Sequence, residues 1–201
     1  MKSHQTKIAE SISLALNPFV ILPVVLIIGF FGTEFPSVDL QKKWILVILL
    51  GNLILPLAWI YYLDAKGVVL DDTLANKALH RKRLVALLPI LAILALEILV
   101  MLNRTIYQPI FAVFISTISI IIIAGLVSYF WKVSAHMVGF ITTITLLTLL
   151  INKWVLVGLI FLPFLIWSRL KLHRHTPLQL ITGVLLPPVI IYIIFNYFNL
   201  L

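Results

Sequence analysis

Ser168-Arg169-Leu170-Lys171-Leu172-His173-Arg174-His175-Thr176-Pro177-Leu178-Gln179 is the stretch of this chain densest in groups that do chemistry, with the pattern S-R-x-x-x-x-x-H-x-x-x-Q. Upstream, Trp131-Lys132-Val133-Ser134-Ala135-His136-Met137 supplies a second serine and histidine, and His80-Arg81-Lys82-Arg83 a third polar cluster. Imidazole can exchange a proton near neutral pH or act as a nucleophile, and guanidinium holds anions through a fixed fork of donors. Taken one at a time, these residues have plainer readings. Arg169, Lys171 and Arg174 would serve as interfacial anchors whose stems lie in lipid, and His136 as a hydrogen-bonding residue at a helix end. The pair His173-x-His175 suggests a metal, but no nearby carboxylate or thiolate completes a ligand set, and the chain has no cysteine. No metal and no cofactor is therefore expected. The ordered combination carries more than its parts.

In order, the three clusters resemble the motifs of the type 2 phosphatidic acid phosphatase superfamily, K-x-x-x-x-x-x-R-P, P-S-G-H and S-R-x-x-x-x-x-H-x-x-x-D. The third matches at Ser168, Arg169 and His175, and the second at Ser134 and His136. In the first, Arg83 stands for the arginine, while Asn76 occupies the lysine position and Leu84 replaces the proline. The wording is similar to a divergent bacterial branch, which implies a bacterial inner membrane. The resemblance implies that His175 attacks phosphorus to form phosphohistidine, and that His136 acts as acid and then as base. It also implies that Arg169, Arg83 and the Ser134-Ala135 turn hold the phosphate, with Lys132 placed to supply the missing lysine. Such chemistry depends on positioning and on cations around the phosphoryl oxygens. The implied substrates are lipid phosphates such as phosphatidate, phosphatidylglycerol phosphate or polyprenyl diphosphate, entering laterally from the membrane. A noncatalytic transporter or helper subunit on the same scaffold is the alternative.

One position departs from the pattern. Gln179 stands where the family's carboxylate orients the nucleophilic imidazole; four residues after His175 on a helix, it would share a face with it. Glutamine can fix a tautomer but supplies no negative charge. No Asp or Glu follows Glu97, so either a compensating acid comes through space from Asp71, Asp72 or Glu97, or the enzyme works without one.

The elements that must position these groups are set by composition. With 62% hydrophobic and 11% charged residues, against roughly 25% charged in soluble domains, the chain cannot coat a globule in water. Runs free of Asp, Glu, Lys and Arg extend from Ser11 to Thr33, Trp44 to Leu63, Thr105 to Trp131, Val133 to Asn152, Trp154 to Ser168 and His175 to Leu201. Leu84 to Asn103 is broken only by Glu97. These predict an all-α bundle of about seven spans in one membrane domain, 1–201, with the motifs in roughly 64–183. The count falls to six if the short Trp154 run does not cross. Prolines 18, 23, 56, 89, 163, 187 and 188 are expected to bend the spans.

Seven spans put all three clusters on one membrane face. That face carries eleven cations (Lys2, Lys7, Lys66, Lys77, Arg81, Lys82, Arg83, Lys132, Arg169, Lys171 and Arg174). The other carries four, Lys42, Lys43, Arg104 and Lys153. The asymmetry predicts a cytoplasmic N-terminus and site. The net charge of +8 is explained by membrane boundaries and anionic lipid head groups, so membrane lipids rather than nucleic acid are the expected partners.

Overall fold

The computed structural model describes residues 3–18, 21, 23, 27–28, 37–66, 88–102 and 108–201, and all regular structure among them is helical. Arg83, with Asp71, Asp72, Asn76, His80, Arg81, Lys82 and Leu84, lies outside the described residues. The elements are α1 (His4–Ala15), α2 (Val38–Ile48), a π-helical turn (Leu49–Ile54) and α3 (Leu55–Ala65). They continue with α4 (Leu88–Leu102), α5 (Gln108–Phe130), α6 (Ala135–Leu150), a 3₁₀ stretch (Lys153–Phe161), α7 (Leu162–Lys171) and α8 (Pro177–Tyr197).

Four helical lines are long and apolar enough to cross a membrane: Val38–Leu63, Gln108–Phe130, Lys153–Lys171 and Pro177–Tyr197. The described residues thus hold four candidate spans, against the seven expected for the whole chain. Helix α6 has 16 residues, which at about 1.5 Å of rise each falls short of a bilayer core of about 30 Å. The run expected to open the first span at Ser11 is interrupted near its start, and most of its remainder, up to Thr33, lies outside the described residues. Ser11 to Ala15 belong to α1, the same helix as Lys7 and Glu10, which Ser3 caps by accepting from Thr6 N–H. Leu16 ends α1 just before Asn17-Pro18, because the residue ahead of a proline is pushed out of helical backbone. The uncertain Trp154 run, by contrast, belongs to a continuous line ending at Lys153 and Lys171, two cations suited to its two boundaries.

Two prolines mark changes in helical type. Pro56 is the second residue of α3, directly after the π turn, and Pro163 the second of α7, directly after the 3₁₀ stretch. A proline removes one N–H and its ring crowds the carbonyl four residues back, so the chain is wound differently just ahead of it. Pro187 and Pro188, in contrast, lie inside α8 without ending it.

Helix α8 packs between α5 and α6, burying Leu180, Gly183, Pro187, Ile191 and Phe195. Its opposite stripe, Leu178, Ile181, Leu185, Val189 and Tyr192, is apolar yet exposed, as expected where the second solvent is lipid. Exposed Phe130 and Trp131 after α5, Trp154 and Tyr197 sit at element ends, where amphipathic rings favour the membrane boundary.

The buried Glu97 of α4 is held by Asn52 of the π turn, whose Nδ2 donates to both carboxyl oxygens at 2.9 and 3.1 Å. Removing a donor from a buried acceptor costs more than the bond contributes net. Asn52→Ala is expected to lower stability by about 1–3 kcal/mol in detergent unfolding, with most of the loss recovered in Asn52→Ala/Glu97→Leu. A double variant no more stable than Asn52→Ala would remove this account of the pair.

Candidate functional site

The spacing from Arg169 to His175 follows from how α7 ends. Leu172 caps the helix, His173 takes a left-handed φ of 50°, and two bonds close the turn, His173 N–H to Leu170 O and Arg174 N–H to Arg169 O, each 3.0 Å. This is a Schellman turn in which histidine fills the place glycine usually takes. It reverses the chain and delivers His175 into the interior, 5% exposed, directly before Thr176 caps α8. His173 remains exposed. The two imidazoles of His173-x-His175 therefore occupy different environments.

Arg169 and Ser168, in the last turn of α7, are buried, at 2% and 0% exposed. Ser168 Oγ donates to Ala9 O of α1 at 2.6 Å.

The second cluster opens α6. Ser134 is the extended residue before the helix and is wholly buried, and its Oγ has no hydrogen-bond partner among the described residues. Lys132 and His136 are half-buried, and Ala135 is exposed. The first N–H groups of α6 begin here, a place that favours negative charge. Gly183 of α8 lies against the same turn: a Cβ there would stand 2.8 Å from Met137 Cβ and 3.1 Å from Ser134 O. The start of α6, opened by Ser134, thus lies against the second turn of α8, the helix that His175 precedes.

Ser13 of α1 joins the clusters. Its Oγ accepts from Arg169 Nη1 at 2.8 Å and lies 3.2 Å from His136 Nε2, and its carbonyl oxygen lies 3.1 Å from that same nitrogen. One hydroxyl is therefore shared by the arginine of the third motif and the histidine of the second. The sequence reading missed Ser13 because it assigned Ser11 onward to a span. A usable signal was present: Gln5, Ala9 and Ser13 recur every four residues, and all three meet the site face through Lys171, Ser168 and Arg169. Glu10, between Ala9 and Ser13, is the acid that α1 brings to this neighbourhood. Of the expected donors of negative charge, Glu97 is engaged with Asn52, and Asp71 and Asp72 lie outside the described residues.

Gln179 has a different partner from the imidazole it was expected to orient. Its Oε1 accepts from Thr176 N–H at 3.0 Å, and its own N–H points to Thr176 Oγ1 at 3.4 Å. Thr176-Pro177-Leu178-Gln179 is a capping box, a T-x-x-Q signature readable from sequence. Of the proposed phosphate-binding residues, then, Arg169 meets His136 through Ser13, Ser134 and Ala135 form the adjoining helix start, and Lys132 precedes them. Arg83 is not among the described residues. Compared with known proteins, the chain matches no family model, no curated protein and no solved structure.

Proposed function

We propose that this integral membrane protein is a metal-independent phosphatase of lipid phosphates or diphosphates, of the type 2 phosphatidic acid phosphatase kind. The supporting observation is one hydroxyl in reach of both a buried arginine and a histidine, with a helix N-terminus nearby whose buried serine hydroxyl has no partner among the described residues. These are the parts a phosphate monoester requires: a permanent cation, N–H and O–H donors, and a proton source at the leaving oxygen.

In this reading a ring nitrogen of His175 attacks phosphorus and the ester P–O bond breaks. Arg169, the Ser134-Ala135 turn and Lys132, with Arg83, carry the negative charge of the equatorial oxygens. His136 gives its proton to the departing oxygen, then takes one from water as that water attacks the phosphohistidine and the P–N bond breaks. The acyl or prenyl tail stays in lipid, and phosphatidate, phosphatidylglycerol phosphate and polyprenyl diphosphate share this chemistry. In this reading the site lies on the cytoplasmic face of a bacterial inner membrane, an orientation that the cation asymmetry of a seven-span arrangement favours. A noncatalytic protein on the same scaffold is the second reading, favoured by the engagement of Gln179 in a helix cap where the family has a carboxylate.

Purified protein in detergent is expected to release phosphate from at least one of these lipids at a rate unchanged by chelator. No release across the panel would favour the noncatalytic reading, and loss of activity on chelation would overturn metal independence.

A further inference from the structure

Helix α1 contains none of the motif residues, yet Ser13 uses both of its oxygens on the site. Its hydroxyl meets Arg169 Nη1 and His136 Nε2, and its carbonyl meets His136 Nε2 again. A phosphate monoester offers the same two things, an acceptor for guanidinium and an oxygen for the imidazole proton. Neither nitrogen can serve Ser13 and a phosphate with full strength at once, because a hydrogen bond weakens steeply away from linear geometry.

We propose that the last turn of α1 is a reversible plug of the phosphate pocket, in which Ser13 holds the hydrogen-bond places of the substrate until a phosphorylated lipid displaces it. This rests on reading the pocket as a phosphate site. In the plugged state Ser13 satisfies groups that would be costly to leave unmet in a buried place. Phosphate wins on arrival because it brings negative charge and several acceptor oxygens that a guanidinium fork can engage in pairs, whereas Ser13 offers Arg169 a single neutral oxygen. The geometry of α1 suits such a movement. Helix α1 stops at Leu16, and Pro18 is anchored where Gly139 of α6 allows close approach, so Leu16-Asn17 forms the joint between a fixed point and the plug. The outward residues Ile8 and Leu14 are apolar and exposed, which leaves α1 a lipid-facing side on which to shift.

Two measurements on the purified full chain test this, both reading binding of orthovanadate, a phosphate mimic, by calorimetry. Ser13→Ala is expected to bind vanadate about three- to tenfold more tightly, the worth of one competing hydrogen bond. Because the chain is free of cysteine, Gln5→Cys/Lys171→Cys can be joined by a short cleavable bis-maleimide across the place where Lys171 Nζ meets Gln5 Oε1. The linked protein should lose vanadate binding and regain it on cleavage. Binding that depends on Arg169 but is unchanged or weaker in Ser13→Ala, and is untouched by the linker, would overturn the plug and leave the phosphate site standing. No vanadate binding by the wild-type chain or by either variant would overturn both.

Discussion

His175→Ala is expected to abolish turnover and, more tellingly, to form no acid-labile phosphoenzyme when incubated with a lipid phosphate. The reason is covalent: without the imidazole no P–N bond forms, and alanine leaves no other nucleophile at that position. His136→Ala should lose about 100- to 10,000-fold in kcat, the usual contribution of one acid/base group. Its loss should shrink with an activated leaving group that departs without a proton, and phosphoenzyme should then still accumulate. A His175→Ala protein that hydrolyses lipid phosphate at the wild-type rate would dispose of the nucleophile assignment. An undiminished rate in His136→Ala would leave the Ser134 and His136 pattern without a mechanism. The structure adds a reason to separate the two residues: His175 is buried directly before the cap of α8, whereas His136 is half-buried and already bonded to Ser13.

Arg169→Ala is expected to lower kcat/KM by about 100- to 1,000-fold, the cost of removing one preorganised donor from a developing oxyanion. Arg169→Lys should recover only part of this. Lysine keeps the charge but lacks the planar fork, and a buried ammonium is harder to desolvate than a guanidinium. Because Arg169 also ties α7 to α1 through Ser13, thermal unfolding in detergent should accompany the kinetics. A loss of rate in a protein that unfolds at the wild-type temperature supports a role in the reaction. Equal and large losses of stability in both variants, with normal kcat/KM in the folded fraction, would make Arg169 a structural residue only.

The apolar runs were legible because lipid selects composition over length. Gln108–Phe130 and Pro177–Tyr197 follow from the absence of charge alone, whereas Lys153–Lys171 needed its terminal cations to be read as boundary residues around a short apolar run. The end of α1 was not legible from charge counting. The break at Leu16-Asn17-Pro18 is made by backbone sterics, which leave no mark on a tally of Asp, Glu, Lys and Arg. At the site, Arg169, His136 and Ser134 stood out by their order and spacing, and the structure brings Arg169 and His136 to one hydroxyl, that of Ser13. Ser13 was passed over because the run from Ser11 was assigned to a span; the four-residue recurrence of Gln5, Ala9 and Ser13 marks a shared helix face, but which distant groups that face meets is decided only by the fold. Gln179 illustrates the opposite error. Read only against the family's third motif, its position suggested an orienting role for the imidazole, whereas the shorter T-x-x-Q pattern already specified a helix cap. The turn at His173 hides for a related reason: glycine normally announces it, and histidine does not.

The 3₁₀ stretch Lys153–Phe161 gives its span an adjustable length. A 3₁₀ helix rises about 2.0 Å per residue against about 1.5 Å for an α-helix. With 9 residues wound in the tighter form, the line from Lys153 to Lys171 reaches about 33 Å, where an all-α version would reach about 28 Å. That difference is similar in size to the few ångströms by which biological bilayers differ in thickness. Rewinding residues ahead of Pro163 would let this span meet a thinner or thicker membrane without tilting α7. Arg169, eight residues nearer the site end than Phe161, would keep its depth while the far end of the span absorbed the mismatch.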